Sequence, residues 1–141
     1  HVCNDDDEYG GKMNPIYVLL MMLFLHILDD FHLQGCLANL KQKSWWAKNA
    51  PDPKYKYDWI PALAAHVISW TIMVMLPCVL FMDVPVVLVV ALFLFNCAVH
   101  FFVDDLKCNL LAISLVEDQL LHLSQIIFTF LVVWKIPEMM V

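Results

Sequence analysis

The sequence predicts an all-α, polytopic integral membrane protein built as a bundle of four transmembrane helices. Of its 141 residues, 62% are hydrophobic and only 16% are charged, a more apolar composition than soluble domains have. Four stretches approach the roughly 20 apolar residues that a helix needs to cross the hydrocarbon core of a bilayer. Histidines and aspartates recur inside these stretches, although ionisable side chains are costly there. The fold class and a polar functional site are therefore predicted together.

The four predicted spans form one domain, residues 15–141. They cover residues 15–34, 59–81, 85–105 and 118–136. Pro15, Pro61 and Pro85 lie near the starts of spans, where a missing backbone N–H is harmless. The preceding residues 1–14 are acidic and carry no hydrophobic pattern, so we expect a disordered tail.

The connection between the first two spans, residues 41–58, sets the expected orientation. It is rich in lysine and tryptophan, and lysines concentrate in cytoplasmic loops while aromatic side chains favour the headgroup level. We therefore expect this loop in the cytoplasm and both termini outside. The chain has no arginine and no basic stripe, so we expect the lipid bilayer and not nucleic acid as its partner.

Histidine and aspartate pairs spaced four residues apart recur in three of the spans. The pairs are His26 with Asp30, His100 with Asp104, and Asp118 with His122. This spacing places both side chains on one helix face, and His66 adds a histidine from the second span at the same expected depth. Imidazoles and carboxylates are ligands of zinc, manganese and iron. The sequence thus predicts that these side chains bind one or two divalent metal ions.

Further polar residues flank the predicted ligands and are expected to orient them or to bind substrate. They are Asp29, Gln34, Lys41, Asn96, Lys107 and Gln119. An alternative for Lys41 and Lys107 is that each extends its ammonium group to the water interface. His32 and Asp105 point away from these helix faces and are expected at the interface. The candidates for a catalytic base are Asp30, Asp104 and Asp118.

The first and third spans also resemble each other. The segments LFLHILDDFHL and CAVHFFVDDLK align His26 with His100 and Asp30 with Asp104, and each precedes a span with one histidine. This pattern predicts two repeated helical hairpins around a pseudo-two-fold axis.

The order of these motifs resembles the integral-membrane family catalogued as domain of unknown function 3307, found in bacteria and their phages. The elements that carry the resemblance are His26, Asp30, Phe31, Leu33, Gln34, Lys41 and Lys43, then His66, then His100, Asp104 and Lys107, then Asp118, Gln119 and His122. They extend over nearly all of the chain from Met13 onwards, whereas Asp29 and Asp105 have no place in the pattern. The resemblance implies a small multi-pass protein of the bacterial inner membrane, and it supplies no reaction.

Three functions remain open from the sequence. The first is a membrane metal-dependent hydrolase, with one aspartate as general base. The second is transport of protons or metal ions, although the outer halves of the spans contain almost nothing polar. The third is a non-catalytic interaction protein, in which the polar cluster only joins the helices and the Trp45–Trp59 loop binds a partner.

Overall fold

The computed structural model describes residues 13–139 of the chain, and the side chains of residues 13–135. The described part is all-helical, which confirms the predicted fold class. Its α-helices are α1 (Pro15–Leu28), α2 (Leu37–Leu40), α3 (Lys43–Asn49), α4 (Trp59–Phe81), α5 (Val86–Cys108) and α6 (Leu115–Met139). Residues 1–12 of the predicted tail lie outside the described residues.

Four segments are long and apolar enough to cross a membrane. They are Pro15–Leu33, Pro53–Phe81, Val86–Cys108 and Leu115–Lys135. The helices of the third and fourth spans, α5 and α6, extend further than predicted at the ends next to the 109–114 turn. Lys107 and Asp118, which lie near the facing ends of these two helices, pair with each other at 2.6 Å.

Two of the long helices begin at side-chain caps. Asn14 Oδ1 accepts the backbone N–H of Ile16, so Asn14, which was expected in the disordered tail, instead starts α1. Before α6, Ser114 Oγ accepts the N–H of Glu117, and a Glu117 carboxylate oxygen accepts the N–H of Ser114. This reciprocal arrangement is a capping box, which satisfies backbone donors that a helix start leaves unpaired.

The connection between the first two spans is structured. It contains α2, α3 and a short 3₁₀ turn, Pro53–Tyr55. The Trp46 indole donates to Leu40 O at 2.7 Å, and the Lys43 backbone N–H donates to Asn109 Oδ1 at 2.7 Å. The connection is thereby fastened to the end of α5.

The long helices pack in chain order around the bundle. α1 contacts α4, α4 contacts α5, α5 contacts α6, and α6 closes against α1. One half of the interior is an apolar core made of Val18, Met22, Trp70, Val74, Met75, Cys78, Leu92, Ile126, Phe130 and Val133. Large apolar side chains such as Val86, Val87 and Phe102 are exposed on the outside, as expected for helices that face lipid. The other half of the interior holds the histidines and aspartates.

Candidate metal centre

Every long helix contributes buried ionisable side chains to one layer of the bundle. The buried members are His26, Asp29, Asp30, His66, His100, Asp104, Asp118 and His122, and none is more than 8% exposed. All seven predicted ligands are therefore in the interior, together with Asp29. Among the described residues, the exposed histidine is His32, which lies away from the layer as the sequence indicated.

A π-helical turn, Asp29–Leu33, places two adjacent acids in this layer. The Gln34 backbone N–H donates to Asp29 O at 3.1 Å, the wider spacing of a π-helix, and the Gln34 side chain donates to Asp30 O. Adjacent residues in a regular α-helix diverge too far to face one core, and such π-bulges are frequent at functional sites. The turn explains why Asp29 and Asp30 are both buried, which helical spacing alone did not predict.

The first set of candidate ligands surrounds His66 Nε2. His100 Nε2 lies 3.2 Å from it, Asp30 Oδ1 3.4 Å and Asp104 Oδ2 3.3 Å. Asp30, His66 and His100 each offer a donor atom within 4.8 Å of the others, so these residues could hold a metal ion. Donors bound at about 2.0–2.1 Å to one tetrahedral zinc ion are about 3.3–3.4 Å apart, which matches these separations.

The second set lies around His122. Its Nε2 atom is 3.4 Å from Asp104 Oδ1 and 3.3 Å from Asp118 Oδ1, and neither contact has hydrogen-bond geometry. His100, Asp104 and His122 form the second group whose atoms could hold a metal. His100 thus belongs to both groups, Asp104 of the second group also lies 3.3 Å from His66 Nε2, and the Nδ1 atoms of His100 and His122 are 3.1 Å apart.

Two lysines pair with the carboxylates of the layer. Lys41 Nζ lies 2.6 Å from Asp104 Oδ2, and Lys107 Nζ lies 2.6 Å from Asp118 Oδ2. Lys41 is only 6% exposed, so the interpretation that it extends its ammonium group to water is wrong. The sequence could not show that the turn after α2 folds back against α5 and buries this side chain.

His26 is in the layer but outside both sets of candidate ligands. Its Nδ1 atom accepts a hydrogen bond of 2.9 Å from the Trp70 indole, and it is 3.8 Å from Asp30 Oδ2. The Trp70 ring also stacks on His100, with 4.1 Å between ring centroids. The sequence pattern did not single out Trp70, although its position one turn after His66 places it on the same helix face.

Asp29 and Ser69 form a further pair that contacts the layer. The Ser69 hydroxyl donates to Asp29 Oδ1 at 2.8 Å, and Asp29 Oδ2 lies 3.8 Å from His66 Nδ1. Carboxylates that face the second ring nitrogen of a metal-binding histidine commonly set its orientation. Asp29 has the position for that role, which the sequence suggested for it, whereas Ser69 gave no signal beyond its place three residues after His66.

The remaining flanking residues divide into two groups. Gln119 Nε2 donates to Asp30 Oδ2 at 3.2 Å and to Asp118 Oδ2 at 3.0 Å, so it connects α1 with α6 inside the layer. Asn96 instead bonds to Thr129 at 3.0 Å and to Gln125 at 2.8 Å, one turn deeper in the bundle. The apolar core closes the bundle beyond this second polar group.

The predicted repeat is seen in the contacts of His66 and His122, each of which lies in the second helix of its own hairpin. His66 Nε2 lies 3.4 Å from Asp30, and His122 Nε2 lies 3.4 Å from the equivalent Asp104. The equivalence ends one turn later, because Trp70 corresponds to Ile126, which has no N–H to donate. The two halves of the layer are therefore chemically different.

The fold and site together define a class of protein. It is a helical bundle with four helices suited to a membrane and a buried histidine and aspartate cluster that could hold a metal ion. No protein family model, curated protein or solved structure matches the chain. The functional argument therefore depends on the geometry of the cluster.

Proposed function

We propose that the chain is an integral membrane protein that binds one divalent metal ion through Asp30, His66 and His100 and uses it for hydrolysis. The observation that carries this proposal is the position of His66 Nε2, which lies 3.2–3.4 Å from donor atoms on two other helices. Two imidazoles and a carboxylate suit zinc, manganese or iron. We also propose, from the order of its motifs, that the chain belongs to the bacterial and phage family it resembles and resides in the inner membrane.

The charge of the layer supports a divalent cation. Four buried carboxylates, Asp29, Asp30, Asp104 and Asp118, meet two lysine ammonium groups, which leaves two negative charges when the histidines are neutral. Buried charge without compensation is strongly unfavourable. One divalent ion removes the imbalance, and so would two protonated histidines. The experiments below separate these two states.

The histidine contacts favour one ion over two. A neutral imidazole carries one N–H, so if His100 binds a metal through Nε2, its proton is on Nδ1 and is donated to His122 Nδ1. His122 then carries its own proton on Nε2, between Asp104 and Asp118, and cannot bind a second ion there. His122 therefore lies beside the proposed ion as a hydrogen-bond acceptor for His100 and not as a ligand of a second ion.

The arrangement suits hydrolysis because a three-ligand site leaves a fourth position for water or substrate. A bound divalent ion supplies Lewis-acid chemistry and lowers the pKa of water at that position. Asp104 is the best candidate for the general base, since its Oδ2 atom lies 3.3 Å from His66 Nε2 and is held by Lys41. Asp30 and Asp118 are less suited, because Asp30 is itself a proposed ligand and the histidine beside Asp118 is His122, which is not one.

A groove of about 720 Å³ gives the substrate a route from the bilayer. It is lined by His26, Ile27, Phe31, His32, Gln119 and Leu123. Its apolar wall suits a lipid chain, and Gln119 at its polar end donates directly to Asp30. We therefore infer an amphiphilic substrate. Transport is less well supported, because the packed apolar core obstructs the other half of the bundle.

The first test is metal content after purification from a metal-supplemented culture. We expect about one equivalent of ion per chain in the wild type, and a loss of most of it in His66→Ala and His100→Ala. His32→Ala is the matched control, since His32 is exposed and outside the layer. Equal metal in all four proteins would contradict the site and favour a metal-free polar network.

Hydrolysis needs a separate test that does not require a known substrate. Metal-loaded protein is incubated with a bacterial membrane lipid extract in ¹⁸O-labelled water, and the products are examined by mass spectrometry. We expect label in a lipid-derived product, and none with Asp104→Asn. Metal binding without any labelled product from the wild type would contradict the hydrolase and leave the metal site standing.

A further inference from the structure

A second cavity lies in the connection between the first two spans, apart from the histidine and aspartate layer. Its volume is about 770 Å³, and its lining includes Lys43, Trp46, Ala47, Lys56, Tyr57 and Trp59. The wall is aromatic and aliphatic, with two lysines as its cationic groups. We propose that this cavity binds the headgroup region of an anionic phospholipid.

The charges of the lining favour an anionic ligand. Lys43 Nζ lies 4.1 Å from the centre of the Trp59 ring and 3.5 Å from Asp105 Oδ1, and Lys56 makes no ion pair with any residue of the described part. The acid in the lining, Asp52, is occupied by Lys54, whose ammonium lies 3.5 Å from it. The cavity therefore presents an excess of positive charge.

The position of the cavity favours a lipid over a soluble anion. Trp59 is the first residue of α4, so the cavity adjoins the end of a helix that is apolar enough to cross a membrane. Trp46 stacks on Tyr55 with ring centroids 6.1 Å apart, which extends the aromatic surface of the connection. Amphipathic aromatic rings settle at the headgroup level, and basic residues there attract anionic lipids. A phosphate beside Lys43 and Lys56 would leave the glycerol and first acyl carbons against Trp46 and Trp59.

Binding can be measured with short-chain lipids and the tryptophan fluorescence of the purified, delipidated protein in detergent. The probes are dioctanoyl phosphatidylglycerol, dioctanoyl phosphatidylcholine and free glycerol phosphate. We expect a saturable fluorescence change with phosphatidylglycerol and no saturation with glycerol phosphate. Phosphatidylcholine should bind about fivefold more weakly than phosphatidylglycerol, because one basic residue near an anionic lipid contributes about a fivefold difference in affinity.

Two variants test the location. Lys56→Gln should weaken phosphatidylglycerol binding about fivefold, whereas Lys48→Gln should leave it unchanged, because Lys48 is exposed in the same connection but outside the lining. Ala47→Phe, which fills the cavity without changing charge, should weaken the binding of both lipids.

Three outcomes would overturn the proposal. Equal losses in Lys56→Gln and Lys48→Gln would indicate diffuse attraction to the whole connection. Wild-type binding of phosphatidylglycerol by Ala47→Phe would place the lipid elsewhere. Equal affinity for glycerol phosphate and phosphatidylglycerol would identify a site for a soluble phosphate, not a lipid. The metal content of the layer bears on none of these results.

Discussion

The ammonium group of Lys41 lies 2.6 Å from Asp104 Oδ2, and both side chains are buried. Lys41 comes from the turn after α2, and Asp104 from the last two turns of α5. The pair therefore fastens the connection between the first two spans to the polar layer. It also holds the acid of the second candidate ligand set, which lies 3.3 Å from His66 Nε2 of the first.

Removing the Lys41 ammonium should destabilise the protein strongly. Lys41→Met keeps the apolar stem but leaves Asp104 buried beside other carboxylates, and breaking a buried pair in this way costs about 3–5 kcal/mol. Lys43→Met is the matched control, because Lys43 is exposed, and pairs made by exposed side chains contribute about 0–1 kcal/mol. Reversible unfolding in mixed micelles measures both. Equal stabilities of the two variants would contradict a role for Lys41 in the interior.

Trp70→Phe tests the hydrogen bond to His26. Phenylalanine retains an aromatic ring that can stack on His100, but it has no N–H for His26 Nδ1. A buried acceptor left unpaired costs about 1–3 kcal/mol. Trp134→Phe is the comparison, since the contacts of Trp134 with Phe130 and with the Lys135 ammonium are both made by its ring. We expect the lower unfolding free energy in Trp70→Phe, and the opposite order would show that the indole N–H contributes little.

Asp29→Asn tests whether Asp29 orients His66. The amide keeps the shape of the side chain but removes the charge that lies 3.8 Å from His66 Nδ1. Losing such a partner typically weakens metal binding by about 10–100-fold. Asp105→Asn is the control, because it changes the acid next to Asp104 in α5, which pairs instead with Lys43 and Asn109. Competition with a chelator gives both affinities. A similar affinity for the two variants would remove Asp29 from the site.

Much of the fold followed from the sequence because hydrophobic length is a direct physical requirement of a membrane span. The spans followed from hydrophobic length, and the shared depth of the histidines and the pairs spaced four residues apart followed from helical periodicity. Periodicity failed at Asp29 and Asp30, where the π-helical turn changes the spacing. A local irregularity of this kind has no signature in the hydrophobic pattern.

The sequence also could not predict which side chains contact each other across helices. The burial of Lys41 depends on the way the connection folds over α5, and the role of Trp70 depends on His26 of α1 lying opposite it. Tryptophan counts as a hydrophobic residue, so its N–H donor gives no signal in the hydrophobic pattern. His26, predicted as a ligand, accepts the Trp70 N–H on its Nδ1 atom and lies outside both groups of donors that could hold a metal ion.

The orientation in the membrane is a separate prediction from the lysine-rich connection. A cysteine at position 48 should be labelled by a membrane-impermeant maleimide only after cells are opened, whereas one at position 83 should be labelled in intact cells. The positive-inside rule is the reason, since lysines cluster in residues 41–58 and Asp83 lies between α4 and α5. Labelling of position 48 in intact cells would reverse the orientation.

X-ray absorption at the edge of the bound metal tests the central claim most directly. For the metal-loaded wild type, we predict scattering from two imidazole nitrogens and one carboxylate oxygen at about 2.0–2.2 Å. His100→Ala should lose one imidazole, while His32→Ala should match the wild type. A spectrum without imidazole scattering, or one that His100→Ala leaves unchanged, would contradict metal binding by Asp30, His66 and His100.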